Sequence, residues 1–290
     1  TPVENTLRDL WSQLHFLNPD FLGTQQSFQH QYAIPIEKNQ HYVKLEELKA
    51  ITRPFLLRRT KELVAPDLPD KTEFTVSCDM TEEQREFYEK IKSQYRNEII
   101  KSITEDGFAK SKLQVLTGLM KLRQVANHPG LHDATFRGES GKFNDIVSKV
   151  ESVISENHKV LLFSQFTSYL ALFRKAFDEM GISYAYLDGS LTSEQRSHEV
   201  NRFQKEEGIR VFLISLKAGG VGLNLTAADY VFLADPWWNP AVEEQAMSRA
   251  HRIGQDKKVF VYKFISRDTL EEKIIGLQQR NSFLAKEITG

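Results

Sequence analysis

From residue 141 onward the apolar positions gather into short unbroken runs separated by longer amphipathic stretches. Val160-Leu161-Leu162-Phe163, Tyr184-Ala185-Tyr186-Leu187, Val211-Phe212-Leu213-Ile214, Val231-Phe232-Leu233-Ala234 and Val259-Phe260-Val261-Tyr262 are such runs. Near-continuous apolarity over four residues suits strands of a parallel sheet covered on both faces. Between the first two runs, Phe166, Tyr169, Leu170, Phe173 and Phe177 recur at helical spacing. Between the next two, Thr192-Ser193-Glu194-Gln195 carries the pattern of a reciprocal N-terminal helix cap. Strand, helix and strand in repeated order predict an α/β fold with a doubly wound parallel sheet. A last helix is expected to start near Asp268, with Glu271 at the cap-box position, and to bury Leu270, Ile274, Leu277, Leu284 and Ile288.

The first 130 residues read as mostly helical. Thr81-Glu82-Glu83-Gln84 repeats the cap-box pattern and opens a helix with Phe87, Ile91 and Tyr95 on one stripe. A second helix fits Leu113 to Val125, with Leu116, Leu119, Met120 and Arg123 sharing one face. Pro66-Asp67-Leu68-Pro69-Asp70-Lys71 reads as a turn or linker.

Composition narrows the class. At roughly 150 residues per domain, 290 residues suggest about two domains. Forty per cent hydrophobic and 27% charged residues, with a mean hydropathy of −0.43, describe a globular protein with ample core. One cysteine, Cys78, forms no internal disulfide and points to a reducing, intracellular setting. No apolar run approaches the roughly 20 residues that cross a bilayer, so no membrane partner is expected. Lysine and arginine number 38 against 39 acidic residues, a net charge of −1 spread evenly along the chain. Any polyanion must therefore be held by local clusters. The chain begins Thr1-Pro2-Val3 with no methionine, which suggests a piece of something longer.

In open α/β sheets ligands collect beyond the carboxyl ends of the strands. Ser215-Leu216-Lys217-Ala218-Gly219-Gly220-Val221-Gly222-Leu223-Asn224 follows the third run there. It fails as a dinucleotide-binding fingerprint, because Leu225 stands where the third small residue belongs and no long helix follows. Two readings remain for it: a loop needing several positive φ angles, or backbone N–H groups set close to a phosphate chain with Lys217 adding charge. Asp235-Pro236-Trp237-Trp238-Asn239-Pro240 follows the fourth run, and its tryptophans either cover the sheet end or present a ring to a nucleic-acid strand. Asn239-Pro240 opens a helix in which Gln245, Arg249 and Arg252 stand at i, i+4 and i+7. That stripe is either a solvated charged face or a clamp for phosphate oxygens. The eight histidines show no metal-ligand spacing, and no G-x-S-x-G elbow occurs.

The run VFLISLKAGGVGLNLTAADYVFLADPWWNPAVEEQAMSRAHRIGQ, Val211 to Gln255, closely resembles motifs V and VI of the SWI/SNF family of DNA-dependent ATPases, helicase-like translocases of superfamily two. KVLLFSQF (Lys159 to Phe166) is similar to motif IV, and YLDGSLTSEQR (Tyr186 to Arg196) to the motif after it. The opening TPVENTLRDLWSQLHFLNPDFLG resembles motif III with its helical continuation. PFLLRRTKELVAPDLPDKTE, Pro54 to Glu73, resembles the family's crossover between lobes.

The resemblance implies a RecA-like, P-loop NTPase-type second helicase lobe preceded by helical protrusions. Residues 1–66 would be the end of lobe one with its protrusion, 67–77 the inter-lobe linker and 78–138 the protrusion of lobe two. Residues 139–265 would be the RecA-like helicase C-terminal domain and 266–290 a closing helix. It implies ATP with Mg, bound mainly by a first lobe absent here: Gly141-Lys142-Phe143 is not a P-loop and no DExH tetrad occurs. Arg249 and Arg252 would be arginine fingers. Gln245, Gly222 and Asn224 would lie on the nucleotide side. Lys217, Trp238, Ser215, Gly219, Gly220, Ser164, Gln165, Gly189 and Ser190 would lie along double-stranded DNA, and branches of the family differ at the position of Trp237. The chain alone would be inactive, its partners being the first lobe, the DNA backbone and a DNA-bound protein complex as target. Its location would be cytoplasm or nucleoid in a prokaryote and nucleus in a eukaryote. An RNA-helicase lobe and a non-catalytic protein-docking module are the alternatives. Residues 1–66 are expected to pack poorly, or against a neighbour, without the lobe to which they belong.

Overall fold

The computed structural model describes residues 6–39, 41–57, 65, 67–216, 218 and 223–289. They form two units: residues 1–66 with 238–241 and 276–290, and residues 67–237 with 242–275. No helix among the described residues is long and apolar enough to cross a membrane.

The first unit is helical. Helix α1 (Leu7–Leu17) is followed by α2 (Gln25–Phe28), which runs through a π-helical segment (Gln29–Ala33) into α3 (Ile34–Asn39), and then by α4 (Tyr42–Thr52). Thr6 and Asp9 close a reciprocal cap at the start of α1. The first of the two expected outcomes, poor packing, does not hold for the described residues. Leu7, Leu10, Leu14, Phe28, Ile36 and Leu48 are buried in a core of their own.

In the second unit, strand β1 (Lys71–Cys78) precedes a long hairpin of α5 (Glu82–Asp106) and α6 (Phe108–Asn127). Gly107, at φ 80°, makes the reversal between the two helices. Then come α7 (Gly141–Ser155), β2 (Val160–Ser164), α8 (Thr167–Glu179), β3 (Tyr184–Leu187), α9 (Ser193–Lys205), β4 (Val211–Ser215), β5 (Tyr230–Leu233), α10 (Pro240–Met247), β6 (Val259–Ser266) and α11 (Leu270–Thr289). The sheet order is β1-β6-β5-β2-β4-β3, and every pairing is parallel. Part of the segment expected to be a linker is therefore the edge strand β1, in register with β6 from Lys71↔Val259 to Cys78↔Ser266.

Alternate residues of the central strands feed two cores, as period-two geometry requires. Leu161, Phe163, Phe212, Ile214 and Leu233 pack on one face with Phe203 of α9 and Met247 of α10. Val160, Leu162, Leu213 and Phe232 pack on the other with Ile146 and Val150 of α7 and the aromatic stripe of α8. Cys78 lies in this second core, where burial and then Asp145 push its thiol up to about 12.

Only one of the three expected cap boxes in this unit closes. Thr192 and Gln195 satisfy each other's backbone N–H groups at the start of α9. Thr81 accepts from Gln84 N, but the Gln84 side chain is fully buried and turns elsewhere. Its Nε2 donates to the carbonyls of Val125 (3.1 Å) and Ala126 (3.2 Å), and its Oε1 accepts from Gly141 N (3.1 Å). Glu271 likewise accepts from Ser266 N (2.7 Å) and from Lys142 Nζ (2.6 and 2.8 Å) instead of capping α11. Ile274 of α11 is buried, whereas Leu277 is exposed. The side chains of Leu284 and Ile288 lie outside the described residues.

Gln84→Ala would orphan Gly141 N–H and weaken the satisfaction of two helix-end carbonyls. At about 1–3 kcal/mol per unsatisfied buried group, we expect a loss of at least about 2 kcal/mol in urea unfolding. A loss under about 0.5 kcal/mol would show the bridge to be dispensable.

The hairpin stripe also differs from expectation. Ile91 is buried with Phe87 and Tyr95 packed beside it, as the spacing predicts. On α6, however, Leu113, Leu116 and Met120 are exposed and Arg123 is buried. The contact face runs through Gly118 instead. A Cβ there would stand 3.3 Å from Ile99 and Tyr95, so the close approach of the helices selects that face over the leucine stripe.

Candidate active site and nucleic-acid interface

The candidate loops leave three adjacent central strands. Ser164 of β2 is in register with Ser215 of β4, and Phe163 of β2 with Leu233 of β5. Leu216 N bonds to Ser164 O (2.9 Å) and Ala234 N to Phe163 O (2.9 Å), so the loops diverge from one edge, where an open α/β sheet offers its crevice.

Asp235, one residue past the apolar run, joins two of these loops. Its carboxylate accepts from Ser164 Oγ, from Gln165 Nε2 at 2.5 Å and from Gln165 N at 3.3 Å. Ser164 and Ser215 are buried, and the Ser164 hydroxyl is committed to Asp235. Gln165 is half-buried. Gly189 and Ser190 are exposed beyond β3. There Ser190 N and Oγ donate to Asp188 Oδ1 (2.9 and 2.6 Å). Burial pushes the Asp188 carboxyl up, but Ser190 and the Tyr186 hydroxyl outweigh it and hold it below the usual range. Lys217, Gly219, Gly220 and Gly222 lie outside the described residues.

The two tryptophans separate. Trp237 is half-buried against the first core, its N–H bonded to Glu243 Oε1 (2.8 Å), while Trp238 is 38% exposed. Asn239 Oδ1 accepts from Ala241 N (2.9 Å) at the start of α10, as the Asn-Pro pair predicts.

Gln245, Arg249 and Arg252 do not form one helical face, because α10 ends at Met247. Gln245 is exposed on the helix, and the two arginines follow in tight turns. Those turns are tied down. Leu225 N donates to Arg249 O (3.0 Å), which sets the end of the glycine-rich loop, and with it the exposed Asn224, against Arg249. Gln255 Nε2 donates to the carbonyls of Ala228 (2.8 Å) and Ala250 (3.1 Å). Gly254, at φ 99°, turns the chain back.

Arg249 is 9% exposed, and its Nε is buried with no hydrogen-bond partner. Burial first, and then the positive charge of Arg252, lower its pKa. No carboxylate is ion-paired to either arginine among the described residues. Two like charges held together around an unsatisfied donor can receive an anion such as a phosphate.

Sequence reasoning passed over two residues that organise this edge. Asp235 was legible as the first polar residue after an apolar strand. Arg123 was legible only as a charge within an otherwise apolar helical stripe.

The SNF2-related domain family matches residues 1–131, and the helicase conserved C-terminal domain matches residues 142–254. The C-terminal domain of the Sulfolobus solfataricus SWI2/SNF2 ATPase is 32% identical, with a TM-score of 0.62, over 76% of this chain and 90% of that one. The ATPase core from the same organism, solved in complex with dsDNA, is 36% identical with a TM-score of 0.64, covering 100% of this chain and 61% of that one. An uncharacterized ATP-dependent helicase of Mycoplasma genitalium is 36% identical over 287 residues, 99% of this chain and 27% of its own length. The chain spans between 17% and 39% of the length of the curated relatives compared with it.

Proposed function

Because the chain belongs to the SWI/SNF family of ATP-dependent helicases, we propose that it is the C-terminal motor lobe of a double-stranded-DNA translocase. The observation that carries this reading is the arginine pair, Arg249 beside Arg252 with a buried, partnerless Nε.

ATP with Mg, when bound, supplies the phosphoryl group whose transfer drives the motor. Arg249 and Arg252 offer it positive charge from a backbone held in place before binding, which is how preorganised donors lower a phosphoryl-transfer barrier. Gln245, Asn224 and Gly222 would serve the nucleotide side. Because the chain carries neither a P-loop nor a DExH tetrad, it is not hydrolytically competent alone.

The duplex would lie along the loops after β2, β3, β4 and β5. Lys217 would meet a phosphate and Trp238 would face the groove, with Gly219, Gly220, Gln165, Gly189 and Ser190 beside them. Ser164 and Ser215 would act mainly by fixing the loops. Backbone contacts carry little sequence information, so sequence preference would be weak.

In the intact protein, duplex DNA is expected to stimulate ATP hydrolysis more than duplex RNA of the same length. Half-saturating DNA should rise steeply with salt, by about 0.9 in log–log slope per phosphate contacted. Greater stimulation by RNA would assign an RNA helicase lobe instead, and no stimulation by either would favour a docking module. This chain alone should hydrolyse ATP at background.

A further inference from the structure

Arg123 lies on the helical hairpin, not on the RecA-like sheet, yet its guanidinium reaches the loops assigned above to DNA. It is 4% exposed. One Nη donates to the carbonyl of Pro236, and the guanidinium stands over the ring of Phe166 at 5.6 Å. Burial lowers its pKa, and the negative charge of Asp235, ahead of Glu271 and Glu243, works the other way. One cation thus touches the loop after β2 and the loop after β5, the two that Asp235 already ties together.

The root of the hairpin is held in the same neighbourhood. The last three carbonyls of α6, those of Val125, Ala126 and Asn127, accept from Gln84, from Gln84 and Ser266, and from Ser140 respectively. Helix α5 has 25 residues, a length of about 37 Å at 1.5 Å per residue. Arg123, four residues before the end of α6, joins the hairpin to those loops.

The geometry points to Arg123 as a positioning residue that couples the α5–α6 hairpin to the DNA-facing loops, so that the hairpin sets the affinity of the motor for its track. This rests on the DNA-translocase reading above. The guanidinium suits the role because it donates in plane to Pro236 while its face covers Phe166, whereas a lysine can keep the charge but not both contacts.

The test uses the intact protein with duplex DNA, measuring ATP turnover against DNA concentration, together with thermal melting. Arg123→Gln is expected to raise half-saturating DNA about tenfold, while turnover at saturating DNA falls less than about threefold. Arg123→Lys should give an intermediate rise, and Phe166→Leu should raise half-saturating DNA in the same direction. If Arg123→Gln does not fold, the lysine and Phe166 variants decide. A lowered melting temperature with unchanged half-saturating DNA would make Arg123 merely structural and overturn the inference. Absence of DNA stimulation in the unsubstituted protein would instead overturn the reading on which it rests.

Discussion

Replacing Arg249 or Arg252 with alanine in the intact protein is expected to lower DNA-stimulated ATP turnover by about 10³-fold or more, with duplex binding little changed. The size of the effect follows from how the arginines are held. Neither sits on a helix that could slide or fray at its end. Both lie in turns fixed by the bonds of Leu225 to Arg249 O and of Gln255 to Ala228 and Ala250. The Arg249 backbone is held before any phosphate arrives, and its buried Nε lacks an acceptor. Arg249→Lys should restore little, because an ammonium cannot reproduce the planar fork. Turnover within about threefold of the unsubstituted protein in both alanine variants would remove the fingers from the mechanism.

The second large effect is on stability. Lys142 and Glu271 are fully buried and paired at 2.6 Å. Lys142→Met would leave the carboxylate uncompensated, and breaking such a pair from one side costs about 3–5 kcal/mol. Burial pushes the Glu271 carboxyl up, while Lys142 and then the Ser266 N–H draw it back down. Removing Lys142 raises the folded-state carboxyl further above its unfolded value. Between those two values the folded state holds a proton that the unfolded state has released, so stability falls as pH rises. The Lys142→Met penalty, measured by urea unfolding against the unsubstituted protein, should therefore be smaller at pH 5 than at pH 8. Lys142→Met with Glu271→Leu should recover most of the loss, since an apolar pair of similar volume leaves nothing unpaired. A pH-independent penalty, or no recovery in the double variant, would contradict this account.

Gln84 and Glu271 also show where reading from sequence ends. Gln84 and Gln195 occupy the third helical position at which a cap box places a Gln or Glu, whereas Glu271, expected there, is the second residue of α11. Only Gln195, which faces solvent, behaves locally. The other two are fully buried, and a buried polar group goes to whichever partner tertiary packing brings within reach. The same distinction applies to strands. Strands β2 to β6 were legible because each carries an unbroken apolar run, which burial on both faces explains for β2 and β4. Strand β1 was not, because Lys71-Thr72-Glu73-Phe74-Thr75 lies largely exposed at the sheet edge and carries no such run.

At the site, positions were legible and geometry was not. Arg249 and Arg252 were marked by motif and spacing, but the helix assumed to align them stops at Met247. It stops where backbone groups pair outside the helix, as Leu225 N does with Arg249 O. Trp237 and Trp238 were equivalent by spacing, and only packing against the first core turned one inward. Arg123 was hidden for a related reason: a charge on an apolar helical stripe names no partner until the loops it binds are in place.

The pairing of β1 has a consequence for biosynthesis. Among the described residues its one strand partner is β6, whose first paired residue lies 188 positions downstream of Lys71. A ribosome therefore releases β1 long before it makes the strand on which β1 docks. Contacts this distant in sequence slow folding, and until Ser266 has emerged the nascent chain carries an unpaired strand.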